Sequence, residues 1–340
     1  MFNVAVIGLG MGQGHLKEYS TLPDVQILAI ADLDETRLKS CTDQYHVPHA
    51  CTDYKKLLAM REIDLVSVCL PNYLHAPVTI DALNAGKHVL VEKPMAMNAA
   101  EAEAMIAAAK KRRKTLAVSM NYRWAFGPDT LYLKYLITQG KLGRIYYVRT
   151  VSLRRRSFLR GHKTWFSEKK RSGGGGLIDM GPHMLDLAMW LSGDFSPVQV
   201  SGATGTAIMT DTDIDDFSTG LIRMKSGVTI ALESTWASYT RPAGTVTVFG
   251  TAGGAILDLS AAKGQRVTLF GEQDQTLFEQ TLVGIHIPEP QPASVQEHVV
   301  QSIRAGRKPE NAGERGLAVM RVIDGIYRSS ETGRDVVIEG

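Results

Sequence analysis

The short β-branched run "NVAVI" at residues 3–7 stops at a glycine and opens into Gly8-Leu9-Gly10-Met11-Gly12-Gln13-Gly14-His15. No other stretch constrains the fold as much. A helical pattern from about Gly12 to Leu22 follows, then "VQILAIAD" at 25–32. Strand, helix and strand within about 30 residues form a βαβ unit, whose crossover is expected to be right-handed. The alternation continues with a helix starting near Asp34, "LVSVCLP" ending at Pro71 and a helix from about Pro77 to Ala85. After these come "HVLVEKP" ending at Pro94 and a helix from about Ala99 to Lys114. Continuously apolar strands between helices indicate a parallel sheet covered on both faces. The sequence therefore predicts a doubly wound Rossmann domain over residues 1–122.

Such sheets bind ligands at the carboxyl ends of their strands. Gly8 permits the tight turn, and Gly10 removes a side chain so that backbone N–H groups can approach a pyrophosphate at the helix N-terminus. The third fingerprint position, five after Gly8, is Gln13 rather than Gly or Ala, with Gly12 and Gly14 on either side. Close helix packing is expected to shift by one residue. Asp32 ends the second strand, where a carboxylate accepts hydrogen bonds from ribose hydroxyls and repels a 2′-phosphate. NAD is thus expected in preference to NADP, although Arg37 five residues later blurs the distinction. Asp34 reads as a helix N-cap.

At 340 residues the chain is too long for one comfortable core, and a second domain is expected over 123–340. With 44% hydrophobic and 21% charged residues, disordered and fibrous classes are excluded. No apolar run reaches the roughly 18 residues of a membrane span. The apolar N-terminus lacks a basic leader and reads as a first strand. Cys41, Cys51 and Cys69 show no C-x-x-C spacing, which favours free thiols in a reducing cytoplasm. The net charge of +3 is mild. The run from Lys110 to Lys114 reads as a solvated helix end. Arg154, Arg155 and Arg156 lie in a strand-like stretch and suit a subunit contact, a solvated edge or an acidic or phosphorylated substrate. Nucleic-acid binding would need a strongly basic face with a reading motif, and neither is present.

From about residue 145 the pattern becomes "IYYVRTVSL", "VQVSGATGTAI", "DDFSTGLIRM", "VTIALESTWA" and "GTVTVFGTAGGAILDL". Strands in succession without helices predict a large open, mainly antiparallel sheet. Its mixed strands suggest packing against another subunit, as a homodimer or homotetramer. "ASVQEHVVQSIRAG" and "ERGLAVMRVIDGIYRSS" have helical spacing and are expected to close this domain, with "DVVIE" at 335–339 adding an edge.

Between the first two of these strands lies "GGGGLIDMGPHMLDLAMWLSG" at 173–193. Four glycines deny helix and let the backbone pass close to a ligand, or act as a flexible linker. Asp179, His183 and Asp186 would share one face if a helix began by Asp179. Pro182 suits a first turn and places the helix start nearer 181, leaving Asp179 ahead of it on freer backbone. A histidine bonded to Asp186, a metal site and a proton-transfer site all fit this cluster; proton transfer is preferred because imidazole titrates near working pH. No third strong ligand cluster supports a metal.

"LPNYLH" at 70–75, "AGKHVLVEKP" at 85–94, "NYRW" at 121–124, the glycine-rich stretch at 173–193, Asp32 and His15 occur together in this chain. By that combination it resembles the glucose–fructose oxidoreductase, inositol dehydrogenase and rhizopine catabolism (Gfo/Idh/MocA) family over nearly its whole length. The resemblance implies reversible hydride transfer between a nicotinamide and a secondary alcohol of a sugar, glycoside or cyclitol. It also implies that Lys93 lies in the active site and that the Lys93-Pro94 bond is often cis. On this footing Gly8, Gly10, Met11, Gly12, Asp32, Leu70, Pro71, Asn72, His75, Glu92 and Lys93 are expected to hold the cofactor. Lys93, Asn121, Tyr122, Arg123, Trp165, Asp179 and His183 are expected to meet substrate. His183 would be general base in oxidation, Lys93 would hold the reacting oxygen, and Asp179 would bind a neighbouring hydroxyl or orient the imidazole. Glu92 is expected to support the loop or Lys93. Trp165 and Phe166 suit either an apolar wall or core, His162 beside Lys163 is a further substrate candidate, and His46 and His49 read as loop residues. Two other classes compete: an enzyme that keeps its nicotinamide bound and recycles it, and a non-catalytic NAD-sensing regulator.

Overall fold

The computed structural model describes residues 1–155, 164–287 and 291–338. The chain forms two compact units, Met1–Met120 with Pro292–Leu317, and Asn121–Gln291 with Ala318–Gly340. Arg156, His162 and Lys163 lie outside the described residues.

The first unit alternates β1 (Phe2–Ile7), α1 (Gly12–Ser20), β2 (Val25–Ala31), α2 (Glu35–Tyr45), β3 (His49–Cys51), α3 (Tyr54–Leu58), β4 (Leu65–Val68), α4 (Asn72–Asn84), β5 (His88–Val91), α5 (Ala99–Arg112) and β6 (Leu116–Val118). The six strands lie in the order β3-β2-β1-β4-β5-β6, every pair parallel. Strand order reverses between β1 and β4, so the turns after Ile7 and Val68 flank the switch point where such sheets take a dinucleotide. Asp34 caps α2 as the sequence suggests, its Oδ1 accepting from Arg37 N at 3.0 Å, and Asn98 caps α5 in the same way, its Oδ1 accepting from Glu101 N at 2.9 Å.

Two details depart from expectation here. Helix α4 starts at Asn72 rather than near Pro77, which lies inside it. Pro71, at φ −57° and ψ 147°, turns the chain straight from the strand exit into the helix. A proline within a helix removes one i→i−4 bond, and this helix tolerates the loss. His49 is in β3, not in a loop.

The second unit contains α6 (Tyr122–Ala125), α7 (Pro128–Thr138), β7 (Ile145–Arg155), α8 (Lys169–Ser172), α9 (Gly176–Ser192), β8 (Pro197–Gly205), β9 (Phe217–Met224), β10 (Thr229–Ser238), β11 (Ala243–Gly250), β12 (Gly254–Asp258), β13 (Val267–Gln273) and β14 (Thr276–Thr281). Helices α10 (Val295–Arg304) and α11 (Gly313–Thr332) follow, then β15 (Val336–Val337). Nine strands form one sheet, β14-β13-β12-β11-β7-β10-β9-β8-β15, antiparallel except for the parallel pair β7 and β10. Alternating burial along β9 gives the sheet a covered and an open face, and α9 packs on the sheet at β7, β9, β10 and β11. Phe217 and Leu221 stay exposed.

Helix α10 was expected in the second domain, yet it belongs to the first unit. It packs on α1, Arg304 Nη2 donates to Asp24 O at 2.7 Å, and the Arg304 guanidinium lies 5.5 Å from the Phe2 ring centre. Asn311 then bonds both backbone groups of Val118, through Val118 N to Asn311 O at 2.9 Å and Asn311 Nδ2 to Val118 O at 2.6 Å.

Candidate functional site

The glycine turn divides its labour among three residues. Gly8 has φ +87°, and a Cβ there would meet Cys69 O at 2.4 Å. A Cβ on Gly12 would meet Val6 Cγ1 at 2.7 Å, so this glycine, one residue before Gln13, permits the close approach of α1 to β1. Gln13 instead sends Nε2 to Leu9 O at 3.1 Å. A Cβ on Gly10 would meet nothing within 4 Å, so protein packing does not demand glycine there. An open backbone at Gly10, ahead of a helix whose N-cap Met11 makes no side-chain capping bond, leaves N–H groups suited to a pyrophosphate. Asp32 Oδ2 accepts from Leu9 N at 2.5 Å, which ties the end of β2 to this turn. Arg37 Nη1 lies 3.4 Å from the same oxygen.

Beneath the turn runs a buried polar chain. Tyr19 OH lies 2.8 Å from Ser67 Oγ, which lies 3.0 Å from His15 Nδ1, and His15 Nε2 is 2.8 Å from Glu92 Oε1. The other carboxylate oxygen accepts from Lys93 N at 3.1 Å. Burial alone would lower the His15 pKa, but the charges and hydrogen bonds of Cys69 and Glu92 raise it to about 10. Burial pushes the Cys69 thiol up, so at neutral pH Glu92 is the anion that His15 faces. Burial would raise Glu92, and the bond to and charge of His15, then Lys93 and Ser119, bring it down to about 2. His15 and Glu92 are therefore an ion pair directly behind Lys93. The support expected of Glu92 has this physical form.

The Lys93-Pro94 peptide is cis, and Lys93 is half-buried at the exit of β5. His75, expected to meet the cofactor, is instead buried between two backbone carbonyls, with Nδ1 2.7 Å from Pro94 O and Nε2 2.7 Å from Leu70 O. Burial lowers its pKa while the two carbonyl contacts oppose that shift, and the ring joins the exits of β4 and β5. Asn72, the first residue of α4, is also buried.

In the second unit, α9 starts at Gly176, five residues before the start expected from Pro182, which lies inside the helix. The cause is a residue distant in sequence: Asp215 accepts from Gly175 N and Leu177 N at 2.7 Å each, and its carbonyl from Gly176 N at 2.8 Å. Three orphan donors of the first turn are satisfied in this way. A Cβ on Gly175 would meet Asp215 O at 1.9 Å, so close approach of the segment at Asp215, not flexibility, explains that glycine. Asp179 is consequently helical and not on freer backbone.

One turn apart on α9, Asp179, His183 and Asp186 each meet a different partner. Asp179 Oδ2 accepts from Trp236 Nε1 at 3.1 Å and lies 3.8 Å from Arg154 Nη1. The His183 ring stacks on Tyr122, with centroids 4.0 Å apart and planes 10° from parallel. Arg123, expected to touch substrate, is fully buried instead. Its Nε donates to Asp186 Oδ2 at 2.9 Å, its Nη2 to Asp186 Oδ1, and Trp190 and Phe195 flank the guanidinium. Asn121 is the N-cap of α6, so "NYRW" acts as a clasp that docks neighbouring residues on successive turns of α9. Phe166 stacks on Trp236 at 5.2 Å and belongs to a cluster with Met180 and Ile214, while Trp165 meets it edge-on. Neither Trp236 nor Asp215 is signalled by any sequence motif.

Residues 2–120 match the family described as "Oxidoreductase family, NAD-binding Rossmann fold", and residues 130–256 match the "GFO/IDH/MocA C-terminal domain". A putative UDP-kanosamine synthase oxidoreductase subunit of Amycolatopsis mediterranei is 31% identical over 277 residues, 74% of either chain. The chain belongs to the GFO/IDH/MocA oxidoreductase family. Within the family, D-glucoside 3-dehydrogenase of Escherichia coli K12 is 38% identical over 194 residues, which span 56% of this chain and 54% of that enzyme. The aldose-aldose oxidoreductase from Caulobacter crescentus, solved with glycerol, superposes with a TM-score of 0.83 at 28% identity over 99% of both chains. The first domain is thus an NAD-binding Rossmann domain, and the open Gly10 turn and Asp32 fit that cofactor.

Proposed function

We propose that this family member is an NAD-dependent dehydrogenase acting on a secondary hydroxyl of a sugar, glycoside or inositol. The observation that carries the proposal is the α9 arrangement. An imidazole lies flat against Tyr122, with the Asp179 carboxylate one turn before it, in a chain that also presents Lys93 where β5 ends. His183 Nδ1 is buried, so proton transfer falls to Nε2. In the direction of oxidation, His183 takes the hydroxyl proton and returns it in reduction. Lys93 holds the reacting oxygen and favours its alkoxide character. Asp179, braced by Trp236 and Arg154, accepts a hydrogen bond from a neighbouring hydroxyl, and Tyr122, Asn121 and Trp165 flank the sugar. Bound NAD supplies the hydride acceptor, held by Gly8, Gly10, Met11, Gly12 and Asp32 with Leu70, Pro71, Asn72, Glu92 and Lys93. His75 contributes indirectly, by fixing the two strand exits.

The exposed face of the nine-stranded sheet, with Phe217 and Leu221, suits a homodimer or homotetramer, and the free thiols suit the cytoplasm. No described helix is long and apolar enough to cross a membrane. The test is a screen of sugars, glycosides and inositols for NADH formation, followed by Lys93→Met and His183→Ala. Each variant should lose on the order of 10²–10⁴-fold in kcat, with NAD affinity retained in His183→Ala, whose side chain is not among those that hold the cofactor. Wild-type-like turnover in both variants refutes the assignment.

A further inference from the structure

We propose that the first unit carries a second binding site, for a phosphate-bearing small molecule, at the end of its sheet opposite the glycine turn. A cavity of about 420 Å³ opens among the last turn of α5, the starts of β5 and β6 at His88 and Leu116, and the connection from α10 to α11. That volume lies within the roughly 300–1,000 Å³ of ordinary small-molecule sites. All its lining residues belong to the first unit. The strands are parallel and the glycine turn follows the carboxyl end of β1, whereas His88 and Leu116 are amino-terminal ends. Along β5, His88 and Val91, which lies level with Ile7 before the glycine turn, are three residues apart, or about 10 Å at the strand rise. The cavity is therefore separate from the NAD pyrophosphate turn.

Its charge is one-sided. Lys110, Arg113, Lys114, Arg307 and Lys308 line it, against the single carboxylate of Glu314. Lys308 Nζ pairs with Glu314 at 3.0 Å, and among the described residues no ion pair engages Lys110, Arg113, Lys114 or Arg307. Burial and then the charge of Lys114 depress the His88 pKa to about 4, so this lining imidazole is neutral and competes for no anion. A solvated helix end accounts for cations on α5 but not for two more brought to the same concavity by a separate loop. Arg113 also occupies the left-handed region, at φ 53°, where a helix normally ends in glycine. Guanidinium groups from two segments match phosphate oxygens in the forked geometry that lysine lacks. Ile106, Leu116 and Ile303 provide an apolar floor for the organic part of the ligand.

The experiment titrates the full-length protein, saturated with NAD to block the glycine turn, with sodium pyrophosphate at constant ionic strength in a calorimeter. One saturable site is expected. Arg113→Gln with Arg307→Gln should weaken it at least tenfold without changing NAD affinity. Glu314→Gln removes the carboxylate that competes for Lys308 and should tighten binding severalfold, an outcome that misfolding cannot imitate. Absence of saturable heat, or an affinity unchanged in both variants, overturns the proposal.

Discussion

Replacing His15 by Leu should both destabilise the first unit and abolish a specific alkaline loss of stability. The substitution leaves the Glu92 carboxylate buried without its 2.8 Å partner, while Ser67 keeps its bond to Tyr19. Removing one member of a buried pair costs about 3–5 kcal/mol. In a unit of roughly 150 residues, 1 kcal/mol shifts Tm by about 2–4 °C, so Tm should fall by roughly 6–20 °C. The sign with pH follows from the two shifts. His15 is raised from 6.5 to about 10, so its contribution is complete below about 6.5 and lost as pH rises through about 10. Glu92 is lowered from 4.5 to about 2, so its contribution is complete above about 4.5 and lost as pH falls through about 2. Between about pH 4.5 and 6.5 both are intact. Tm measured by circular dichroism from pH 6 to 10 should decline in the wild type and lose the His15 part of that decline in the variant. Equal pH slopes in the two proteins, or a Tm difference under about 2 °C at pH 6, would refute the buried ion pair.

The glycines of the turn should separate by phenotype. Gly10→Val, placed in open space, should leave Tm unchanged while weakening NAD binding, whereas Gly12→Ala should cost about 1–3 kcal/mol by forcing α1 off Val6, as read by urea denaturation. Asp215→Ala strips the first turn of α9 of two side-chain acceptors and Tyr327 of its 2.7 Å partner. It should cost at least about 2 kcal/mol and raise hydrogen exchange at Gly175 and Leu177; protection unchanged at both amides would show that the cap does not depend on this carboxylate.

Most of the first unit is legible because its signals are local. Apolar runs of strand length, Asp34 as a cap and glycines after β1 each act within a few residues, so periodicity and turn chemistry place them. The Lys93 and His183 neighbourhoods also stand out, since Glu-Lys-Pro at a strand end and Asp-x-x-x-His in an apolar run conflict with plain core. Strands β13 and β14 escape notice because β14 is exposed along its whole length, and its sequence lacks the alternation that burial imposes.

The amino-acid sequence by itself determined a parallel doubly wound domain, four of its six strands and the dinucleotide turn, because these follow from spacing along the chain, while the hydride chemistry followed from the family resemblance. Only the tertiary structure decided how the site residues are used. Asp215, some 40 residues downstream, overrides Pro182 and starts α9 early enough to make Asp179 helical. Arg123 is claimed by Asp186, His75 by the carbonyls of Leu70 and Pro94, and His15 by Glu92. The physical reason is common to all four. A polar group removed from water must find a partner, and the partner is set by what packing brings within about 3 Å, a distance that sequence separation does not encode.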